Sequence, residues 1–269
     1  MASPGSREGA LVPTVLVYAS RERVRSLARV TFPRKRFRLV FTRTPEATLS
    51  TFRGRLIDAA VIDTGNADAD TWRAVGLSRE FPSAPFFALI SLRPADAGTV
   101  TRCALAGCAD LIVEGVDEPV ARQMVSASCF SARFQRALEN PPEQLTLASP
   151  LQQQVWRAIV SYAGTPVTTA ALGAAMGLSR EHLSRKFAVG GAPNLKRVID
   201  LVRVIAAAEL SKDPGHDLRD VARVLGFASS SHLAVAAGRI SGTRPVSLAR
   251  LRTVDLIDRF CQGRTRSRG

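Results

Sequence analysis

The stretch Thr168-Thr-Ala-Ala-Leu-Gly-Ala-Ala-Met-Gly-Leu-Ser-Arg-Glu-His-Leu-Ser-Arg-Lys-Phe187 contains the signals for two short helices separated by a tight turn. Gly177 permits the turn, because glycine adopts left-handed backbone angles without steric cost. Ser179 can begin the second helix, since its hydroxyl can accept a hydrogen bond from an unpaired backbone N–H in the first helical turn. The stretch therefore predicts a helix-turn-helix unit.

Residues 217–240 repeat this outline about fifty residues later. The matching positions are Gly173 with Ala222, Gly177 with Gly226, and His182-Leu183 with His232-Leu233. Each copy also ends in Gly-x-x-Pro, at residues 190–193 and 242–245, where the glycine ends one helix and the proline begins the next. The chain is therefore predicted to contain two helix-turn-helix units.

The segment between the two units, Asn194 to Lys212, predicts one continuous helix. Its apolar residues recur at helical spacing: Leu195, Val198, Ile199, Val202, Ile205, Ala206 and Leu210. A helix of this length spans roughly 28 Å. It can separate two helices by about one turn of DNA, roughly 34 Å.

Residues 150–250 resemble the DNA-binding region of the AraC/XylS family of bacterial transcription regulators. The matching residues are Leu172–Ser179, His182–Arg185, Phe187, Ala207–Leu210, Val221-Ala222, Leu225–Phe227, Ser231–Leu233, Gly242 and Pro245. The resemblance implies an all-α domain with two helix-turn-helix units joined by a long helix. It also implies a sequence-specific regulator that binds double-stranded promoter DNA.

In the second helix of the first unit, Leu183 and Phe187 are expected to face the core. Arginine can bond a guanine edge twice and glutamate can accept from a cytosine amino group, so the opposite face suits base contacts. That face carries Arg180, Glu181, Ser184 and Arg185. The alternative is an ordinary solvated face. His182 is expected to be partly buried.

The corresponding helix of the second unit offers Ser230, Ser231, Ala234 and Val235, which provide few hydrogen-bond donors. The first unit is therefore predicted to supply most of the base specificity, with the second positioning the protein weakly. Contacts with DNA phosphates are expected from Lys196, Arg197, Arg239 and Arg244.

The N-terminal half alternates short apolar runs with helical stretches. The predicted strands are Val15–Tyr18, Phe37–Phe41, Ala59–Ile62, Phe86–Ile90 and Leu111–Val113. The predicted helices are Glu22–Val30, Pro45–Phe52, Ala69–Phe81, Ala97–Ala106 and Glu118–Leu138. Five such β-α pairs predict an α/β domain with a five-stranded parallel sheet covered on both faces.

This layout resembles the flavodoxin-like receiver domain of response regulators. Asp63 falls where receivers keep the phospho-accepting aspartate, and Ala106-Gly-Cys-Ala-Asp110 resembles the segment before the fifth strand. Receivers bind magnesium through an acidic pair after the first strand, and here Tyr18 and Ala19 take those positions.

Other receiver positions also depart from the family pattern. The receiver lysine falls on Glu114, and the switch threonine falls on Ile90 or, with a one-residue shift, on Ser91. These departures predict a pseudo-receiver in which Asp63 matches by position but is inactive. The alternative role for Asp63 is to cap a neighbouring helix.

The last helix of this half carries an apolar stripe: Val120, Met124, Phe130, Phe134 and Leu138. Core packing accounts for most of it, and its later part is a candidate dimer face. The domains are expected at 12–138 and 151–255, with a proline-containing linker at 139–150 and a basic tail at 256–269, of which residues 262–269 are expected to be disordered.

The net charge of +14 is concentrated in residues 141–269, which carry +9 of it. This distribution favours a polyanionic partner for the C-terminal half.

The four cysteines include no Cys-x-x-Cys pair, so no zinc site or other metal site is predicted. Free cysteines fit a reducing compartment. A redox role for Cys103 and Cys108 would need them close in space. No cofactor is expected, and no catalytic constellation is present, which argues against an enzyme.

The run Leu11–Tyr18 fits a buried strand better than a signal peptide, and no apolar run is long enough to span a bilayer, so a cytoplasmic location is expected. The predicted function is a DNA-binding transcriptional regulator whose pseudo-receiver half senses, dimerises or binds a partner without aspartyl phosphorylation. The alternative is a protein-interaction regulator with a decayed DNA-binding half. Candidate protein partners are a second copy of the chain and RNA polymerase or another regulatory protein.

Overall fold

Five strands form one parallel sheet in the computed structural model, which describes residues 11–91, 93 and 96–265. The strands are β1 (Thr14–Tyr18), β2 (Arg38–Thr42), β3 (Ala59–Asp63), β4 (Phe86–Ile90) and β5 (Asp110–Val113). Their spatial order is β2-β1-β3-β4-β5, the doubly wound order of flavodoxin-like folds. The predicted α/β fold class is confirmed.

Helices cover the sheet on both faces. They are α1 (Glu22–Thr31), α2 (Pro45–Gly54), α3 (Ala69–Gly76), α4 (Ala97–Ala106), α5 (Glu118–Ser128) and α6 (Phe130–Ala137). All residues of β1, β3 and β4 are buried, because side chains that alternate along a strand enter the core on either face. One core contains Val15, Val17, Phe87 and Val125, and the other contains Leu16, Phe52, Phe81 and Phe86.

The single helix predicted for Glu118–Leu138 is wrong, because the helix breaks at Cys129, where ψ is 154°. The break is stabilised by Asp58, whose fully buried carboxylate accepts hydrogen bonds from the backbone N–H of Thr14 (2.7 Å), the backbone N–H of Ser131 (2.9 Å) and the Ser131 hydroxyl. Burial raises the pKa of Asp58, although these bonds oppose the shift. The predicted helix Ala69–Phe81 also ends early, at Gly76, and a 3-10 turn follows.

The remaining helices are α7 (Pro150–Val160), α8 (Thr169–Ala175), α9 (Arg180–Phe187), α10 (Leu195–Leu210), α11 (Leu218–Val224), α12 (Ser230–Ser241) and α13 (Thr253–Thr265). The long helix α10 is continuous, as predicted, and its 16 residues span about 24 Å. Helix α13 covers residues 256–265 of the predicted basic tail, including 262–265, which were expected to be disordered, and it buries Leu256, Ile257 and Phe260. The last four residues of that tail lie outside the described residues.

The chain forms two compact units whose boundaries do not follow the sequence. The sheet unit consists of Val12–Arg133 together with Ser211–Val224. The helical unit contains Leu11, Phe134–Leu210 and the chain from Leu225 onward. Residues 139–150, expected as an open linker, bury Leu145 and Leu147 within the helical unit.

Candidate nucleic-acid interface and carboxylate cluster

The first helix-turn-helix consists of α8 and α9 and packs closely at its turn. Gly177 has φ of +66°, and an added Cβ on Gly173 would lie 2.8 Å from the Leu178 carbonyl oxygen. Both glycines are therefore required by the geometry, one for its backbone angles and the other for lack of space. The Ser179 hydroxyl accepts from the His182 backbone N–H at 3.2 Å and caps α9, as predicted.

Helix α9 has one buried face and one solvent-facing face. Leu183 and Phe187 are fully buried, while the Arg180 and Glu181 side chains are 65% and 75% exposed and lie 3.3 Å apart. Arg185 is exposed, and Ser184 and His182 are half-buried. The four residues predicted to meet bases therefore include three well-exposed side chains on the side away from the core.

The C-terminal end of α9 is fixed by a buried glutamine on α7. The Gln152 side-chain amide donates to the carbonyl oxygens of Phe187 at 2.8 Å and Val189 at 3.0 Å. These bonds satisfy carbonyls that a helix end leaves without partners. Gln152 was not predicted from the sequence, because its role depends on a contact 35 residues along the chain.

Three of the predicted DNA-contacting residues share one open depression beside α9. Arg180 and Ser184 line it from α9, and Lys196 lines it from the start of α10. Thr169 and Asn194 complete its polar wall. The Asn194 side chain accepts from the Lys196 backbone N–H at 2.8 Å, which fixes the beginning of α10. Two cations and three uncharged polar side chains in a concave surface can bind a phosphate group.

Two arginines predicted to contact phosphates are engaged within the protein. The Arg197 guanidinium lies 5.0 Å from the centre of the Phe260 ring, and Arg239 forms an ion pair with Asp200. Arg244 is exposed. Of the four predicted phosphate contacts, Lys196 and Arg244 therefore point to solvent, whereas Arg197 and Arg239 have protein partners.

The recognition helix of the second unit, α12, presents a weakly polar surface. Ser229 caps it by accepting from the His232 backbone N–H at 3.1 Å. Val235 is 65% exposed, Ser231 is exposed and Ser230 is half-buried. Arg239, the one arginine of α12 and its C-terminal cation, is paired with Asp200. This helix consequently offers few free donors for bases.

Arg203, which was not predicted, connects α10 to the turn of the second unit. Its Nη2 donates to the carbonyl oxygens of Leu225 at 3.0 Å and Gly226 at 3.3 Å, and its guanidinium lies 3.9 Å from the centre of the Phe227 ring. Burial lowers the pKa of Arg203. An arginine within the apolar stripe of α10 was the available signal, because a buried charge needs several partners.

In the sheet unit, Asp63 does not cap a helix, contrary to the alternative considered from the sequence. Its carboxylate accepts two hydrogen bonds from Arg21, at 2.8 Å from Nε and 2.5 Å from Nη2. Arg21 Nη1 also lies 3.1 Å from Glu114, which is paired with Arg23 Nε at 3.0 Å. Arg21, Asp63 and Glu114 form what we call the carboxylate cluster.

The carboxylate cluster is nearly closed to solvent. The Asp63 and Glu114 side chains are 5% and 6% exposed, and that of Arg21 is 24% exposed. Hydrogen bonds to Asp63 raise the pKa of Arg21, and burial only partly opposes them. The bonds also require Gly65, since a Cβ there would lie 2.4 Å from Arg21 Nη2. Arg21 lies three residues after the end of β1, close to Tyr18 and Ala19, the positions that were compared with the receiver's acidic pair.

Cys103 and Cys108 are close in space, which the sequence could not establish. Cys103 lies in the last turns of α4, Cys108 follows Gly107, the left-handed residue that ends this helix, and the two thiols are hydrogen-bonded. That bond lowers the pKa of Cys103 and raises the pKa of Cys108. Within residues 11–91, 93 and 96–265, no group of three His, Cys, Asp or Glu residues could hold a metal ion. Among the described helices, none combines the length and apolar character of a membrane span.

Solved structures similar to the chain include response regulators. One from Thermotoga maritima is 17% identical and covers 43% of this chain and 96% of its own, with a TM-score of 0.38. The receiver domain of a Pseudomonas aeruginosa sensor histidine kinase, with magnesium in its active-site cleft, is 14% identical and covers 44% and 98%, with a TM-score of 0.39. Full-length FixJ from B. japonicum is 13% identical and covers 84% and 97%, with a TM-score of 0.38.

Because these TM-scores are low, the receiver-like fold is assigned from the strand order β2-β1-β3-β4-β5 and not from these structures. A search among curated proteins gives no match. The family model described as a helix-turn-helix domain matches residues 172–250, which lie within the segment identified from the sequence. Residues 172–250 are therefore a DNA-binding helix-turn-helix domain of the AraC type, joined in this chain to a receiver-like α/β fold.

Proposed function

We propose that the protein is a sequence-specific transcriptional regulator that binds double-stranded promoter DNA. The observation that carries the proposal is the capped, closely packed first helix-turn-helix, with Arg180, Glu181 and Arg185 exposed on α9. Exposed arginine and glutamate side chains at the start of a recognition helix can bond base edges in the major groove. Ser184 and Lys196 line the same depression as Arg180 and extend this surface toward a DNA phosphate.

The second unit contributes less to base recognition in this proposal. Ser230 and Ser231 can meet phosphates, and Val235 can contact a thymine methyl group. Arg244 is exposed and suits a phosphate contact, whereas Arg239 would first have to leave Asp200 and Arg197 would have to leave Phe260. These contacts predict that the first helix-turn-helix unit contributes more to DNA affinity and base specificity than the second.

The receiver-like fold acts without aspartyl phosphate in this proposal. Receiver phosphorylation needs a divalent cation beside the aspartate, because the incoming phosphoryl group and the carboxylate repel each other. Here the Arg21 guanidinium bonds both Asp63 oxygens, and Glu114 adds a negative charge to the same cluster. Asp63 is thus occupied by an internal cation, and the domain senses, dimerises or binds a partner by other means.

Selection of bound sequences from random double-stranded DNA tests the DNA-binding proposal. The full-length protein should enrich one motif, and affinity for it should fall steeply as salt rises, because phosphate contacts release counterions. A lack of enrichment, or an affinity that does not change with salt, would contradict the proposal.

Incubation with acetyl phosphate, followed by measurement of the intact protein's mass, tests whether the receiver-like fold acts without aspartyl phosphate. No added phosphoryl group is expected, while an active response regulator treated in parallel should gain one.

The second candidate is a protein-interaction regulator whose DNA-binding half has decayed. The weakly polar α12 and the pairing of Arg239 with Asp200 favour it. A mobility-shift assay against genomic fragments separates the candidates, since only the first predicts retarded DNA.

A homodimer and a contact with RNA polymerase or another regulatory protein extend the proposal, together with a cytoplasmic location. The later part of the apolar stripe is buried in the monomer, at Phe130, Phe134 and Leu138, and is unsuited to a dimer face. Exposed apolar side chains elsewhere in the sheet unit include Leu105, Val116 and Val120. Light scattering of the full chain tests for the dimer, and substitution of these three by serine should return a dimer to monomer.

A further inference from the structure

Two of the four free cysteines lie at the end of α4, and the backbone turn there brings them together. The Gly107 N–H donates to the Ala104 carbonyl and the Cys108 N–H donates to the Cys103 carbonyl, both at 3.1 Å. With Gly107 in the left-handed conformation, these bonds form a Schellman motif. Such a motif commonly packs the two residues of its longer bond against each other, and here both are cysteines.

Neighbouring groups hold the end of α4 in this shape. The Ser78 hydroxyl donates to the Ala106 carbonyl, and Arg79 Nη2 donates to the Leu105 carbonyl, each at 2.7 Å. These bonds satisfy carbonyls that a helix end leaves without partners. Strand β5 begins two residues after Cys108 and pairs with β4. Because both sides of the turn are fixed, the two cysteines stay next to each other in the reduced protein.

The two thiols share one proton, and their charge can reach solvent. The Cys108 thiol donates a hydrogen bond to Cys103, which lowers the pKa of Cys103; burial opposes this effect and the charge of Arg102 adds to it. Cys103 is fully buried, whereas Cys108 is partly exposed. Transfer of the shared proton moves the negative charge to Cys108, the cysteine that is open to solvent. The thiolate is the form of cysteine that oxidants attack.

The other two cysteines have different neighbours. The Cys129 thiol donates to the Ser126 carbonyl at 3.6 Å, and burial raises the pKa of Cys129 to about 11. Cys261 is partly exposed and lies in the helical unit, where its thiol donates to the Gln144 carbonyl at 3.7 Å. Both of these bonds end on backbone oxygens, whereas the bond from Cys108 ends on a second sulfur.

We propose that Cys103 and Cys108 are a reversible dithiol–disulfide pair that an oxidant of the peroxide class closes. The Cys108 thiolate attacks one oxygen of hydrogen peroxide, the O–O bond breaks, and a sulfenic acid forms with release of one water. The Cys103 thiolate then attacks the Cys108 sulfur, the S–O bond breaks, and a second water leaves. The two thiols together lose two protons and two electrons, and one peroxide is reduced to two waters.

The disulfide changes the junction between α4 and β5 inside the sheet unit. It replaces a hydrogen bond between thiols by a covalent bond of about 2.05 Å. Fraying of the end of α4 separates Cys103 from Cys108, so the covalent bond should suppress it. Oxidation is then a chemical signal that the sheet unit registers without Asp63. This inference goes beyond the proposed function and does not depend on DNA binding.

Peptide mapping of the full-length protein tests the pair. Trypsin cleaves after Arg102 and Arg122 and so releases both cysteines in one peptide, residues 103–122, which contains neither of the other two. The folded protein is treated with hydrogen peroxide, then unfolded, alkylated and digested. Cys108→Ser removes the solvent-facing sulfur of the pair. Cys261→Ser is the matched control, because it also replaces one partly exposed cysteine.

After peroxide treatment, the peptide 103–122 from wild type and from Cys261→Ser should lack two hydrogen atoms and accept no alkyl group. Treatment with dithiothreitol should restore both alkylation sites. The Cys108→Ser peptide should not lose two hydrogen atoms. In oxidised wild-type protein, the amides of residues 103–108 should exchange with solvent several-fold more slowly, because local opening of the helix end is restricted.

Three results would overturn the inference. One is a wild-type peptide that peroxide leaves unchanged, and another is oxidation of Cys108 to sulfinic or sulfonic acid without a disulfide. The third is a disulfide that leaves the exchange of residues 103–108 as it was. All three are read from the wild-type protein, so they decide the matter even if Cys108→Ser does not fold.

Discussion

Replacing Arg21 by alanine should destabilise the sheet unit by about 3 kcal/mol. Removing one partner of a buried ion pair costs about 3–5 kcal/mol, mostly because the remaining charge stays buried. Asp63 and Glu114 are 5% and 6% exposed, so both would lose a cation without gaining water. The Arg21 side chain is 24% exposed, and solvent screening on that side places the expected loss near the lower limit.

Urea unfolding of the full chain, followed by circular dichroism and tryptophan fluorescence, measures this loss. The matched control is Arg23→Ala, because Arg23 also pairs with Glu114 but is 80% exposed and should contribute less than about 1 kcal/mol. A second control removes both negative charges of the carboxylate cluster. In an Asp63→Asn, Glu114→Gln background, Arg21→Ala should lower the free energy of unfolding much less than in the wild type. Equal costs in both backgrounds, or no loss from Arg21→Ala alone, would refute the view that Arg21 is the internal cation of the carboxylate cluster.

Three further predictions concern the helix-turn-helix units and the turn around His216. Arg185→Ala should lower the preference for the selected motif over unrelated DNA by about tenfold, whereas Val235→Ala should change this preference little. Competition binding measures both variants. The reverse ranking would exchange the roles of α9 and α12. Gly173→Ala should lower the free energy of unfolding by about 1–3 kcal/mol, because the added methyl group meets the Leu178 carbonyl. Gly238→Ala should raise it by about 1 kcal/mol, because an open helical position gains a better helix former. Thermal unfolding measures both, and a shift in the same direction for the two variants would contradict the packing argument. The packing of His216 against Phe52 and Phe81 should be most stable below about pH 6.5 and should loosen as pH rises, because the folded pKa of His216 is raised: burial lowers it, but the Asp213 carboxylate, the Phe52 carbonyl and the charge of Asp220 outweigh burial. Hydrogen exchange of residues 218–224, corrected for the intrinsic effect of pH, should lose protection from pH 6 toward pH 8 in wild type and stay level in His216→Gln; a level wild-type profile would count against this role.

The geometry of His216 gives a physical reason for that sign. Nε2 faces the Phe52 carbonyl oxygen at 3.2 Å, and Nδ1 faces the Asp213 carboxylate at 3.4 Å. Both neighbours are acceptors, and only the protonated imidazole has an N–H for each. A neutral ring must direct one lone pair at an oxygen, so loss of the proton weakens the contact between His216 and the Phe52 carbonyl.

The elements whose signals are local could be predicted from the sequence. The turn at Gly177 and the cap at Ser179 depend on residues within a few positions of each other, and the five strands follow from short apolar runs. The break at Cys129 was missed because it depends on Asp58, which bonds Ser131 from 73 residues away. Helical periodicity continues through Cys129, and nothing in the local pattern identifies the buried carboxylate beside it.

The candidate sites were likewise predictable only where the signal lies within one local segment of the sequence. Exposure of Arg180, Glu181 and Arg185 followed from the apolar face of α9, because one helix determines both faces. The pairing of Arg21 with Asp63 joins residues 42 apart, and Asp213 meets Ser83 across 130 residues. Arg197 and Arg239 were assigned to phosphates because their partners, Phe260 and Asp200, become neighbours only after folding. Residue type alone does not reveal which charges the fold has already neutralised.

The return of Ser211–Val224 to the sheet unit has a practical consequence for dissecting the protein. Truncation after residue 138 or 150 would yield an N-terminal fragment that lacks Gly215, which packs on the Phe81 ring, and Asp213, which accepts a hydrogen bond from the Ser83 backbone N–H. The complementary C-terminal fragment would carry Asp213 and Asp220 without their bonding partners from the other half. Neither piece, expressed separately, would reproduce the behaviour of its counterpart in the intact polypeptide, so a gain or loss of activity after such a cut would report on the missing neighbour as well as on the missing domain.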